Sequence, residues 1–140
     1  MICIYCSHSH TTVANSRPHK KRSSVWRRRQ CKKCHMTFTS YESPLLDHLL
    51  VLGNKKNQPF SHTKLLLSIA ACFEHQTTRR AEYSEAIATT IAEKIARADG
   101  QELLTPAFLA ETAYTVLARF DKRAAIQYAA RHSAHLEKHL

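Results

Sequence analysis

SVWRRRQCKKC, residues 24–34, decides how the first third of this chain folds. Valine, tryptophan and three consecutive arginines make a strand-forming run, which closes on a Cys-x-x-Cys pair, Cys31 and Cys34. A matching pair, Cys3 and Cys6, lies upstream, with 24 residues between Cys6 and Cys31. Two such turns bring four thiolates to one point, the donor set of a tetrahedral Zn²⁺ site. The interval exceeds the usual spacing of about 15–20 residues, which leaves room for a β-excursion. Four cysteines fill the coordination shell, so the zinc is expected to be structural rather than catalytic. A redox Cys-x-x-Cys would need a βαβ pattern around it, and neither pair has one. His8, His10 and His35 lie close enough in sequence to replace a thiolate. Cys72 falls beside Ile69 and Phe73 in a helical pattern and reads as a core residue.

Charge is unevenly divided over the 140 residues. Residues 1–44 carry nine lysines and arginines against the single acid Glu42, a net of +8. Residues 45–140 carry the other twelve against ten acids, a net of +2. The field therefore belongs to the cysteine-containing third and suits a polyanion, even after four thiolates offset part of it. On a strand, Arg27 and Arg29 share one face and Arg28 the other. Their guanidinium forks fit phosphates and guanine edges, and Arg17, Lys20, Lys21 and Arg22 add charge just upstream. Trp26 has two readings, a stacking platform for a base or sugar and a cover for the small core. Phe38 and Tyr41 read as packing around the metal.

The fold class is α+β, a small β zinc ribbon followed by a mostly helical domain with a β-hairpin cap. Short β-leaning pieces fall at 11–14, 24–30 and 36–40, with a polar turn at 15–18, and Ser43 with Pro44 marks a boundary. About 44 residues bury too little on their own, so the metal has to stabilise them. The stretch 48–52 reads as a strand, Gly53 and Asn54 as a turn, and 55–60 as the return. Ser61 N-caps a helix with Leu65, Leu66, Ile69 and Phe73 on one face. A second helix over 81–98 spaces Tyr83, Ile87, Ile91 and Ile95 four apart and stops at Gly100. Thr105 with Pro106 starts a third, carrying Leu109, Ala113, Val116 and Phe120. Asp121 caps an alanine-rich fourth, which runs to about residue 134.

These bounds give a zinc-ribbon domain at 1–44, a regulatory and oligomerisation domain at 45–136 and a tail at 137–140. No apolar run approaches a membrane span. With Cys3 a ligand, a cleaved leader would remove it, so the chain is expected to begin at Met1 and to reside in the cytoplasm. With two glycines, no glycine-rich phosphate loop and no catalytic constellation, the chain does not read as an enzyme.

The same residues carry a family likeness. The chain resembles NrdR-type transcriptional repressors of ribonucleotide reductase genes, which join a zinc ribbon to an ATP-cone. The match runs through Cys3 and Cys6. It continues through Asn15, Ser16 and Arg17 (Asp-Ser-Arg in the family), SVWRRRQC at 24–31, and Cys34 with FTSYE at 38–42. It resumes at Pro59, Phe60, Lys64 and Leu65, and again at Phe120, Asp121 and AAIQYA at 124–129. The resemblance implies that the ribbon binds paired operator boxes on double-stranded DNA through Arg17, Arg27, Arg28 and Arg29. It also implies a cone that binds ATP or dATP and changes the state of a homo-oligomer.

One departure bears on the cone. The family opens it with Val-x-Lys-Arg-Asp/Asn-Gly, whereas this chain has LVLGNK at 50–55, so Leu52 and Gly53 stand where the basic pair belongs. The nucleotide candidates are then Lys64, Lys55, Lys56 and Leu50. Lys55 and Lys56 either reach the phosphates or form a charged hairpin tip. The cone either keeps an altered nucleotide site or serves assembly alone. In the second case the chain is an adaptor that docks a protein partner. Ala125, Tyr128 and Ala129 are either an interface or core of the same domain.

Overall fold

The computed structural model describes residues 1–20, 22–98 and 102–139, and it divides into two compact units, Met1–Leu45 and Leu46–Leu140. The class is α+β. Lys21, and Gly100 as the stop of the second helix, lie outside the described residues.

The first unit is built on the arginine strand. Strand β1 spans Thr11–Pro18, β2 Val25–Cys31 and β3 Thr37–Glu42, and β2 runs antiparallel between the other two. Residues 15–18, expected as a turn, belong to β1, because pairing with β2 outweighs the local turn preference of Asn-Ser-Arg-Pro. The β1–β2 register shifts between Val13 and Asn15, leaving Ala14 as a bulge. Continued unbroken from Thr11 opposite Cys31, the register would set Arg17 against Val25. The bulge sets it against Trp26 instead, on the opposite face of the sheet.

The second unit opens on the expected hairpin, β4 at Leu50–Val51 and β5 at Gln58–Pro59, antiparallel. A third strand that the sequence did not signal, β6 at Leu103–Leu104, pairs with β4 in parallel on its other side. Two residues carry no readable period, and only the crossover from β4 defines the strand. Helix α1 spans His62–Ala70, α2 Arg80–Ala96, α3 Pro106–Phe120, α4 Lys122–Arg131 and α5 Ser133–Leu136. Ser61, Thr105 and Asp121 cap α1, α3 and α4 by accepting backbone N–H groups, and Pro106 sits in the first turn of α3. Ile69, Phe73, Ile87, Ile91, Ile95, Leu117 and Leu136 form the apolar centre. Phe73, Tyr83 and Phe120 meet edge to face with ring centroids 5.1–6.2 Å apart. Cys72 is fully buried in this core, as are Ala125, Tyr128 and Ala129, which answers the choice left open for the last three. Glu137–His139 forms one 3₁₀ turn against α3. There His139 stacks on Tyr114 at 4.0 Å, and Lys138 and His139 both meet Glu111.

Candidate functional site

Two knuckles of the same geometry build the metal centre. In each, the first cysteine's N–H donates to the carbonyl five residues on (Cys3 to His8, 2.9 Å; Cys31 to Met36, 3.0 Å). Its carbonyl accepts the N–H four residues on (Ser7, 3.0 Å; His35, 3.1 Å). Ser7 and His35, the residues that turn each knuckle back, both adopt positive φ, 56° and 58°. The Lys33 N–H also donates to Cys31 Sγ, as knuckle amides do to a bound thiolate.

The four sulfurs of Cys3, Cys6, Cys31 and Cys34 lie within 4.8 Å of one another, with Cys3–Cys34 at 3.7 Å and Cys6–Cys31 at 3.6 Å. Zinc–sulfur bonds of about 2.3 Å at tetrahedral angles put sulfurs about 3.8 Å apart. The cluster therefore fits Zn²⁺. Its electrostatics agree. Backbone N–H groups draw the Cys31 thiol down to about 6, with the Cys34 amide leading. The Met36 N–H favours the Cys34 thiolate, yet burial and the three neighbouring sulfurs drive that thiol up to about 12. Four thiols this close cannot all ionise unless a cation joins them. No histidine joins the cluster among the described residues.

The sheet above the metal has two unlike faces. On one, Arg29 Nε donates to Ser40 Oγ at 3.0 Å and Arg27 pairs with Glu42 at 2.8 Å. Arg27 Nε is buried without an acceptor, and Phe38 is buried against the metal cysteines. These arginines are half-buried and committed within the sheet. The other face is open. Register aligns Arg17, Trp26 and Tyr41 across the three strands, and next to them Asn15, Arg28 and Thr39. Arg17 and Arg28 are exposed, and Arg28 is steadied by donating to Thr37 Oγ1 at 2.9 Å. Tyr41, expected as packing, is 69% exposed. Of the four arginines singled out in the sequence, two stand together on the open face and two lie on the other. Strand alternation separates Arg28 from its neighbours in the sequence itself. The bulge that moves Arg17 to Arg28's side, and the exposure of Tyr41, need the fold.

In the second unit a cavity of about 410 Å³ opens beneath the β4–β5 turn. Lys56 and Lys64 line it, with Gly53, Phe60, Leu109 and Tyr128 among the rest of its wall. Lys64 Nζ donates to Gln58 Oε1 at 2.9 Å. Lys55 and Leu50 do not line the cavity. Leu50 instead sits in the strand ladder, opposite Pro59 and Leu103. His132 and His135, which the sequence reading passed over, do line it. Their i, i+3 spacing at the end of an alanine-rich helix was the signal available. His132 Nε2 lies 2.9 Å from Ser68 Oγ, and burial holds its imidazole below the usual histidine range. Burial likewise pushes the Tyr128 phenol up to about 12.

Residues 1–42 match the family model described as "Transcriptional repressor NrdR-like, N-terminal domain". The chain is 32% identical over 133 residues to a transcriptional repressor NrdR of Neisseria meningitidis, covering 94% of this chain and 85% of the relative. It is 32% identical over 131 residues to the one of Exiguobacterium, covering 92% and 83%. It is 37% identical over 75 residues to the one of Thermus thermophilus, covering 53% and 49%. All three relatives are named as repressors, not as enzymes. No helix among the described residues is long and apolar enough to cross a membrane.

Proposed function

The chain belongs to the NrdR family of transcriptional repressors, and we propose on that footing that it represses ribonucleotide reductase genes by binding double-stranded DNA through the open face of its zinc ribbon, in the cytoplasm. The observation that carries this reading is the column of Arg17, Trp26 and Tyr41 beside Arg28. Cations and an exposed aromatic lie together there, with Asn15 and Thr39 flanking Arg28, and no carboxylate stands in either row. Arg17 and Arg28 contact phosphates or guanine edges, and Tyr41 packs on a base or sugar. Arg27 and Arg29 act from behind, tying β2 to β3. The zinc supplies the rigidity that holds the face in shape, and the four cysteines are its ligands.

The second unit ties repression to an adenine nucleotide and to assembly of a homo-oligomer. The cavity under the β4–β5 turn supports the nucleotide part of this reading, because apolar side chains suited to a base and two ammonium groups suited to phosphate line it.

The test is binding of the zinc-loaded full chain to a fragment from upstream of a reductase gene, followed across salt concentrations. Arg17→Ala and Arg28→Ala are each expected to weaken binding about tenfold and to flatten the log K against log salt slope by about 0.9. Arg29→Gln is expected to leave the slope unchanged. A slope that flattens for Arg29→Gln and not for Arg28→Ala would put the DNA on the opposite face.

A further inference from the structure

The β4–β5 turn is closed too tightly to carry a side chain at position 53. A Cβ placed on Gly53 would overlap the Lys56 carbonyl oxygen, which is backbone and cannot swing aside. The Gly53 N–H also faces the Asn57 side-chain oxygen at 3.4 Å, inside the same turn. The basic pair that the family resemblance places at 52–53 is absent here, and the difference is more than a change of two side chains. The turn itself has taken a shape that excludes one of them.

What remains around the cavity is a small cationic set. Lys56 and Lys64 are its only lysines or arginines among the described residues, and no aspartate or glutamate lines it to neutralise them. Lys64 is aimed by a neutral partner, Gln58, which leaves its charge available. His132 and His135 also line it; burial holds the His132 imidazole below the usual histidine range, and its Nε2 shares a hydrogen bond with Ser68 Oγ. Phe60, Leu65, Leu109 and Ala110 supply apolar lining. The cavity therefore combines two ammonium groups with apolar side chains on which a base can pack.

We propose that this cavity takes a nucleotide with a short phosphate chain, a nucleoside monophosphate in preference to a triphosphate. The proposal rests on the nucleotide-sensing reading above and sharpens it. A phosphate monoester carries about −1.5 to −2 charges at neutral pH, which two ammonium groups match. Each further phosphate adds about one more negative charge that the chain must meet with a cation or leave in water. A cone with a lysine and an arginine at 52–53 would have those cations. Here Leu52 and Gly53 provide none, and Lys55 does not line the cavity.

Calorimetric titration of the zinc-loaded full chain with AMP, dAMP, ADP, ATP and dATP, each with and without Mg²⁺, decides the matter. Binding of AMP or dAMP at least as tight as that of ATP or dATP supports the proposal. Tighter binding of either triphosphate overturns it while leaving nucleotide sensing intact. Absence of heat with all five ligands would remove the nucleotide reading and the proposal together. Lys64→Gln, an exposed substitution beyond the core, is expected to weaken the monophosphate about tenfold or more. Equal affinity in wild type and Lys64→Gln would place the phosphate elsewhere and sink the assignment.

Discussion

The two units of this chain solve the same problem by opposite means. Among the described residues, the first unit buries three apolar side chains, Cys3, Cys31 and Phe38, and two of these belong to the four-cysteine cluster. The second buries twenty. One is held by coordination and the other by removing hydrocarbon from water. The difference explains how charge is distributed. A unit clamped by metal can accept nine basic side chains against one acid, because its stability does not depend on a balanced surface. A unit that folds on its core gains nothing from such an imbalance, and residues 45–140 carry a net of +2.

Removing the metal is the strongest way to break the comparison. Structural zinc is worth on the order of 10–16 kcal/mol in small finger peptides, far more than Phe38 can replace. A chelator, or Cys31→Ser, is expected to abolish bound zinc and the β-sheet of the first unit together with DNA affinity. The helical circular dichroism of the second unit should survive with its thermal transition in place. Collapse of the helical signal on chelation would mean that the two units do not stand on separate supports.

The reciprocal experiment has a smaller effect. Phe73 is fully buried, stacks with His75 and meets Tyr83 and Phe120 edge to face. Phe73→Ala is expected to cost about 3–5 kcal/mol through lost burial and the cavity left behind. Urea unfolding followed by helical signal would read the loss. Zinc stoichiometry, measured in the same samples, should stay at one per chain. A variant that sheds zinc as it loses helix would contradict the separation.

The two units also differed in how far they could be read from sequence. In the first, spacing alone found the four cysteines that the fold brings together, because coordination demands particular residues at particular intervals. The sheet was harder. Asn15 to Pro18 has turn composition, and only pairing with β2 makes it strand. The Ala14 bulge has no local signature, yet it decides which face Arg17 joins. In the second unit the caps at Ser61, Thr105 and Asp121 were legible, because unpaired N–H groups at a helix start need side-chain acceptors. The cavity was not legible in full. Lys64 came from the family likeness, but whether Lys55 or Lys56 faces inward depends on how the turn closes, and the turn closes so tightly that the Lys56 carbonyl leaves no room for a side chain at Gly53. His132 and His135 reach the cavity because the α4–α5 junction meets α1 at Ser68, which no local pattern states.

The finest test concerns a helix cap, a device the all-β unit lacks. Asp121 follows α3 and opens α4, where Oδ1 accepts from the Arg123 and Ala124 amides at 2.8 and 3.0 Å. Its Oδ2 meets His75 Nε2 at 3.0 Å, tying the α1–α2 connection to the α3–α4 junction. Burial pushes this carboxyl up, but the amide bonds and His75 more than reverse that, and it stays below the ordinary 3.8. A carboxyl lowered by folding stabilises the native state above its unfolded value and ceases to do so as pH falls through its native value. Asp121→Ala is therefore expected to cost about 1–2 kcal/mol at neutral pH. Asp121→Asn, which still caps, should cost less. The gap between wild type and Asp121→Asn should narrow as pH drops below about 4, where the wild-type carboxyl takes up its proton. Melting curves of the two proteins from pH 7 to pH 3 would show this convergence. A gap that stayed constant with pH would assign the whole effect of Asp121 to geometry and none to its charge.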